Sequence, residues 1–278
     1  MGRGERGQRS AQTPVPGSET GDRRAGRAIE RFHFAFFEAA LAQVKPSEFA
    51  LKGGGNLRMF LGSKRRSRDL DLDYLGTDFA RFGDKIEAAL KGGPLSALIQ
   101  LRGVGVVGLR RSKNTDTVKR WKLSLSAPGM EAAPTKIEFS NRGDTAEPVV
   151  ERCDAGLALR VGARALVFAH YPPVHAIEQK VRTLAVRSET QPRDVWDLDH
   201  LFREFTEDFR QAELDPNVMR QAAARVGELS FEDYERLVVD YLEEGIAGLY
   251  DNKQAWESIQ LSVVSRLEER IKERERKE

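Results

Sequence analysis

The sequence predicts an α+β fold, a mixed-sheet lobe followed by a helical lobe, and three observations carry that prediction. Between Phe49 and His170, short runs alternate polar and apolar residues with period two, as half-buried strands do. From Val174 onward, apolar residues recur every three or four positions, as on amphipathic helices. The chain of 278 residues, 40% hydrophobic with mean hydropathy −0.51, is long enough for one large or two modest domains. The expected organisation is a disordered leader at 1–27, a sheet lobe at 28–172 and a helical lobe at 173–278.

The leader is rich in Gly, Arg, Ser and Pro and lacks the apolar stretch of a secretory signal, so a flexible segment and a cytoplasmic location are expected. Ile29, Phe32, Phe36, Phe37 and Leu41 place a first amphipathic helix at 28–44. A strand at 49–52 runs into Gly53, Gly54 and Gly55, which end it in a tight turn before a helix at 56–61. The basic stretch 62–68 is expected to be mobile. A strand at 69–75 and a helix at 79–90 follow, then strands at 103–110, 118–125, 135–140 and 165–170. Helices are expected at 174–187, 193–205, 216–226, 231–246 and 252–274. Ser230 and Asp233 have capping-box spacing, and Asp251 is the expected cap of the last helix.

Composition narrows the function. No apolar run approaches the length of a membrane span, so no membrane partner is expected. The single cysteine, Cys153, excludes an internal disulfide, and no CxxC pair offers zinc spacing; Cys153 reads as a small neighbour of a strand end. A net charge of +2 does not by itself imply nucleic acid. Two basic clusters stand out, Lys64, Arg65, Arg66 and Arg68, and Arg110, Arg111, Lys113, Lys119, Arg120 and Lys122, although such clusters are ordinarily solvated faces.

The chemistry concentrates around Asp69. On a strand, Asp69, Asp71 and Asp73 share one face, successive Cα atoms roughly 6.5 to 7 Å apart. Such a row repels itself unless it is solvated or bridged by a divalent cation. Lys136 and Glu138 share a face of another predicted strand, and Glu138 would complete an Asp, Asp, Glu cluster for Mg²⁺ or Mn²⁺. The glycine turn offers backbone N–H groups to phosphate; alone it is equally an ordinary turn needing positive φ, and the DxD alone is weak. The turn ends 14 residues before Asp69, and that combination points to a phosphate-and-metal site. Lys180 falls within the apolar arc set by Ile177, Val181, Leu184 and Ala185, poorly placed for surface decoration unless it snorkels. Asp194 opens a helix behind Pro192, where a helix dipole alone favours an acid, and Asp197 reads as a partner of Arg193 or of the packing around Trp196. His170, His175 and His200 have no metal-ligand spacing and read as structural.

Leu51-Lys52-Gly53-Gly54-Gly55-Asn56-Leu57-Arg58, followed by Arg66-Ser67-Arg68-Asp69-Leu70-Asp71-Leu72, resembles the LKGG(T/N)xLR and R(F/Y)SxDxDL signature of the AbiEii/AbiGii (MenT-like) nucleotidyltransferase toxin family. Lys136-Ile137-Glu138 resembles its KxE element, Ile177 to Val181 its lysine helix and Arg193 to Leu198 its RDxxDL element. Gly55 departs from the family, where many members carry Thr or Ser.

The resemblance implies a DNA polymerase β-like fold. It implies that Asp69, Asp71 and Glu138 hold metal, with Lys180 and Asp194 as further catalytic residues. Gly53, Gly54, Gly55, Arg66, Ser67, Lys136 and Arg193 would bind a nucleoside triphosphate. It also implies transfer of a nucleotide to an acceptor hydroxyl, with a tRNA 3′ end as acceptor and arrested translation as outcome, and a cognate antitoxin. Two other readings stand beside it: γ-phosphoryl transfer to a protein serine or threonine, and a non-catalytic module that binds RNA or protein.

Overall fold

The computed structural model describes residues 21–143 and 146–276. In chain order the sheet lobe comprises α1 (Gly21–Ala40), β1 (Phe49–Lys52), α2 (Gly53–Met59), β2 (Leu70–Tyr74), α3 (Phe79–Lys91), α4 (Gly93–Leu101), β3 (Gly105–Asn114), β4 (Val118–Ser126), β5 (Ala133–Ser140), β6 (Val149–Arg152), α5 (Ala155–Arg160) and β7 (Val167–His170). The strands form one mixed sheet in the order β3-β4-β5-β2-β1-β7-β6. β2 runs antiparallel to β1 and parallel to β5, so the central strand is bordered by the glycine turn on one side and by Lys136 and Glu138 on the other.

Alternation decides which face of β2 does what. Leu70, Leu72 and Tyr74 turn into a core filled by Phe32, Phe36 and Phe37 of α1 and Phe82 of α3. Asp71 and Asp73 therefore point to the opposite face. Burial of these aromatic groups, at about 25 cal/mol per Å² of apolar surface, sets the register of β2, because a one-residue slip would bury the acids instead.

The helical lobe comprises α6 (Pro173–Val186), α7 (Pro192–Glu204), α8 (Thr206–Gln211), α9 (Pro216–Val226), α10 (Phe231–Leu237), a 3₁₀ turn (Val239–Tyr241), α11 (Glu244–Tyr250) and α12 (Lys253–Glu275). Its core joins Ile177, Val181 and Leu184 of α6 to Trp196, Leu198 and Phe202 of α7 and to Trp256, Val263 and Leu267 of α12. Leu57 and Leu61, from the sheet side of the chain, belong to this second core. No helix among the described residues is long and apolar enough to cross a membrane.

Several expectations are corrected. Residues 21–27, assigned to the leader, are already helical, with Ala25 packed on the core and Arg24 bonded to the Gly129 carbonyl; residues 1–20 lie outside the described ones. α4, β6, α5 and α8 were not expected. α4 hides behind Gly92-Gly93-Pro94, which reads as a loop although proline suits a first helical turn. The helix expected at 231–246 is broken, because the chain at 241–243 pairs with 64–66. Arg66 N donates to the Tyr241 carbonyl at 2.8 Å, and Glu243 N to the Lys64 carbonyl at 3.0 Å. The same pairing holds the basic stretch 62–68 that was expected to move. Ser230 does cap α10, accepting Asp233 N at 3.1 Å. The last helix is capped by Asn252, not Asp251, through Ala255 N at 2.8 Å.

Candidate active site

The face of β2 that carries the acids opens on a cleft of about 520 Å³, walled on the far side by α6 and the start of α7. Gly53, Gly54, Ser67, Asp69, Asp71, Lys136, Glu138, Lys180, Arg193 and Asp194 all line it. The structure thus brings together ten of the twelve expected residues. Gly55 and Arg66 are elsewhere.

Each acid on the sheet face already has a cation. Lys136 Nζ lies 2.9 Å from Asp71 Oδ1 and 3.9 Å from Asp69 Oδ2, and Lys136 N donates to Asp69 Oδ1 at 3.0 Å. Arg120 pairs with Glu138. Lys52 Nζ and the Tyr171 hydroxyl donate to Asp73, at 2.5 and 2.9 Å, which withdraws the third aspartate from the cleft. Burial pushes the Asp69 carboxyl above its ordinary range, outweighing the pull of Lys136 and Arg193. For Lys136, burial opposes the charge, yet Asp71 and Asp69 raise the ammonium above its usual value.

Across the cleft, the ammonium of Lys180, 9% exposed, does not snorkel. It lies 2.9 Å from Asp194 Oδ1 and 2.6 Å from Asp197 Oδ2. Arg187 donates to Asp194 Oδ2 at 2.6 Å. Arg65 clasps Asp197 with two bonds, Nε to Oδ1 at 3.0 Å and Nη2 to Oδ2 at 2.9 Å. Asp197 therefore joins Arg65 to Lys180, where the sequence pointed to Arg193 or to the packing around Trp196. Burial alone would raise it, but Arg65 and Lys180 hold its carboxyl well below the carboxylate range.

The glycines divide their work. Gly53 has φ of 64°, a left-handed conformation that turns the chain straight from β1 into α2, so the helix expected at 56–61 begins at the glycines themselves. A Cβ on Gly54 would stand 2.9 Å from both Arg65 Nη2 and Ser67 Oγ, so Gly54 lets the arginine and the serine close over the turn. Gly55 faces inward, where a Cβ would meet Leu51 and Leu70 at 3.2 Å; its role is packing. Asn56, wholly buried, donates to the Tyr171 carbonyl at 2.7 Å and bonds His170 Nδ1 at 2.9 Å, tying α2 to the end of β7.

Arg66, expected on phosphate, is as buried as Arg65 but points away from the cleft, donating to the Leu242 carbonyl at 2.9 Å beside Glu30. Burial, with repulsion from Arg58 and Arg27, lowers its pKa. Arg65 occupies the cleft in its place. The signal was in the signature: counted back from Ser67, its arginine falls on residue 65 and its aromatic position on residue 66. Arg142, Arg182 and Arg187 line the cleft as well, and no motif announced them. The second basic cluster splits between two faces. Lys119 lies over the Phe79 ring and Arg111 over Trp121, on the core side. Register instead aligns Arg110 with Lys122 and Lys122 with Lys136 on the cleft side.

Asp69 and Asp71 fit a hard divalent cation by donor type, oxygen carboxylates two positions apart, Asp71 on β2 and Asp69 just before it, with the Lys136 ammonium drawn between them. Glu138 stands opposite Asp71 in register, but its carboxylate is turned to Arg120. No three carboxylate, imidazole or thiolate groups among the described residues converge as a metal cage.

A mixed sheet that presents two aspartates beside a glycine turn, and faces a lysine across a cleft, has the architecture of a nucleotidyltransferase. Residues 36–273 match the family described as "Nucleotidyl transferase AbiEii toxin, Type IV TA system", and the chain belongs to that family of nucleotidyltransferase toxins. The fold is shared with solved structures. MenT4, a nucleotidyltransferase toxin from Mycobacterium tuberculosis H37Rv, superposes with a TM-score of 0.53 at 14% identity, covering 91% of this chain and 94% of that one. JHP933 from Helicobacter pylori superposes with a TM-score of 0.50 at 19% identity, covering 87% and 91%. No curated protein sequence matches the chain.

Proposed function

We propose that the chain moves a nucleoside monophosphate from a nucleoside triphosphate to an acceptor hydroxyl, with a tRNA 3′ end as the acceptor. The observation that carries this reading is that one cleft is lined by Asp69 and Asp71 from the sheet and by Lys180, Arg187 and Arg193 from α6 and α7. A triphosphate binds between such walls, with its anionic oxygens toward the α6–α7 cations and the Gly53–Gly54 turn. The acceptor oxygen bonds to the α-phosphorus, the bond from that phosphorus to the bridging oxygen breaks, and pyrophosphate leaves. Asp69 Oδ2, the oxygen not held by Lys136 N, takes the hydroxyl proton. Asp69 and Asp71 would hold Mg²⁺ or Mn²⁺, which when bound offsets charge on the phosphate oxygens. Asp197 and Asp194 position Lys180, while Arg65 fixes Asp197 from the sheet side. The exposed side chains of Arg110, Lys113 and Lys122 add a basic strip on the sheet beside Lys136, suited to RNA phosphates without base choice. A cognate antitoxin, as the family description implies, is the expected protein partner.

The test is incubation of the full chain with Mg²⁺, total tRNA and each α-labelled nucleoside triphosphate, beside Asp69→Ala/Asp71→Ala. Label on tRNA that falls about 10³-fold or more in the variant is expected, the scale of losing preorganised charge at a phosphoryl site. Label from γ-labelled nucleotide on a protein, with none on RNA, would overturn nucleotidyl transfer in favour of phosphoryl transfer. Silence with both labels would leave a binding module.

A further inference from the structure

The open face of the sheet is balanced by its own cations. Lys52 serves Asp73, Arg120 serves Glu138, and Lys136 serves Asp71 and, more distantly, Asp69. Lys136 differs from the other two, because its ammonium sits between the two carboxylates that the proposed reaction requires. We infer that the Lys136 ammonium and a divalent cation compete for the space between Asp69 and Asp71, so that Lys136 is a tethered counter-ion which must swing aside when metal enters. This inference rests on Asp69 and Asp71 being the metal ligands proposed above.

Two features make the exchange feasible. The Lys136 side chain is 28% exposed, so it has solvent to move into, and its backbone N–H, not its ammonium, anchors Asp69 Oδ1. Departure of the ammonium therefore leaves the strand pairing and one oxygen of Asp69 in place. A lysine and a divalent cation both within reach of the same two carboxylates repel each other, and partial exposure does not remove that repulsion. Once displaced, the ammonium remains on β5 within the cleft that Arg193 and Lys180 also line, available to a phosphate group. The same side chain thus fills the acid pair before the metal arrives and joins the phosphate-facing cations afterwards.

The probe is Mn²⁺ alone, without nucleotide, titrated into the full chain by calorimetry and by electron paramagnetic resonance. Lys136→Gln removes the charge and keeps the backbone anchor; Lys136→Arg keeps the charge; Asp71→Asn removes a ligand. Lys136→Gln is expected to bind Mn²⁺ about tenfold more tightly than the unsubstituted chain, the scale of one relieved charge repulsion near a surface. Lys136→Arg should bind no more tightly than the unsubstituted chain, and Asp71→Asn should lose binding. Equal or weaker affinity in Lys136→Gln, with binding still dependent on Asp71, would overturn the competition and leave the site reading standing. Tightening in Lys136→Arg to the level of Lys136→Gln would also overturn it, since charge would not be the cause. Binding indifferent to Asp71, or no binding by any variant, would remove the metal site itself and the inference with it.

Discussion

At the scale of single residues, the cleft depends on where a Cβ or a charge is absent. Gly54 and Gly55 are neighbours with opposite surroundings, polar atoms of Arg65 and Ser67 against one and methyl groups of Leu51 and Leu70 against the other. Gly54→Ala is expected to push Arg65 off Asp197 and to lower transfer at least tenfold, with a stability cost of about 1–3 kcal/mol. In Gly55→Ala the leucine methyls give way by a few tenths of an ångström, and transfer should fall less than threefold at a cost below about 1.5 kcal/mol. Denaturant melts and label incorporation on the two variants measure the contrast. Similar losses in both would mean that Arg65 and Ser67 are not what Gly54 accommodates. Arg65 and Arg66 teach a related lesson. Adjacent residues on a non-helical stretch point to different sides, so a motif shifted by one position exchanges a residue that lines the cleft for one bonded to Leu242 and Glu30 on the other side.

At the scale of elements, local capping and long-range pairing compete. Ser230 caps α10 as spacing predicted, and Ser230→Ala should lower stability by about 1 kcal/mol, seen as a lower melting temperature with transfer unchanged. An unaltered melt would mean that tertiary packing of Tyr234 alone holds the helix start. α10 nonetheless stops at Leu237, because the following residues are needed as partners for 64–66. Apolar periodicity runs on through that break, so it reported one helix where the fold uses two and a 3₁₀ turn. β2 shows the reverse case, in which periodicity sufficed: one face is committed to the aromatic core, and only one register keeps the acids out of it.

At the scale of the molecule, the sheet and α1 are joined by a buried histidine. His33 Nε2 lies 3.1 Å from Thr135 Oγ1, and burial lowers its pKa to about 3, against a smaller opposing pull from Asp71. A pKa depressed on folding means that the unfolded chain binds the proton first. The stability from a neutral His33 is therefore complete above the unfolded value near 6.5, and is lost as pH falls from 6.5 toward about 3. The expected slope is about 1.4 kcal/mol per pH unit in that window. His33→Gln, which keeps a polar partner for Thr135, should melt with a flatter pH dependence between pH 6.5 and 4.5. Parallel curves for the two proteins would show that His33 does not couple folding to pH.

The sequence by itself determined the alternation of strands and helices, the glycine turn, the acid pair and the buried position of Lys180. These are set by periodicity and by residue chemistry within a few neighbours, and the motif spacing carried the family. Only the tertiary structure decided that Asp197 joins Arg65 to Lys180, that Asp73 and Glu138 are drawn to Lys52 and Arg120, and that 62–68 is held by 241–243. Each of those outcomes is a pairing between residues far apart in the chain. Which cation satisfies a given acid depends on strand order, register and the docking of α6 and α7, and none of these is written in a local pattern.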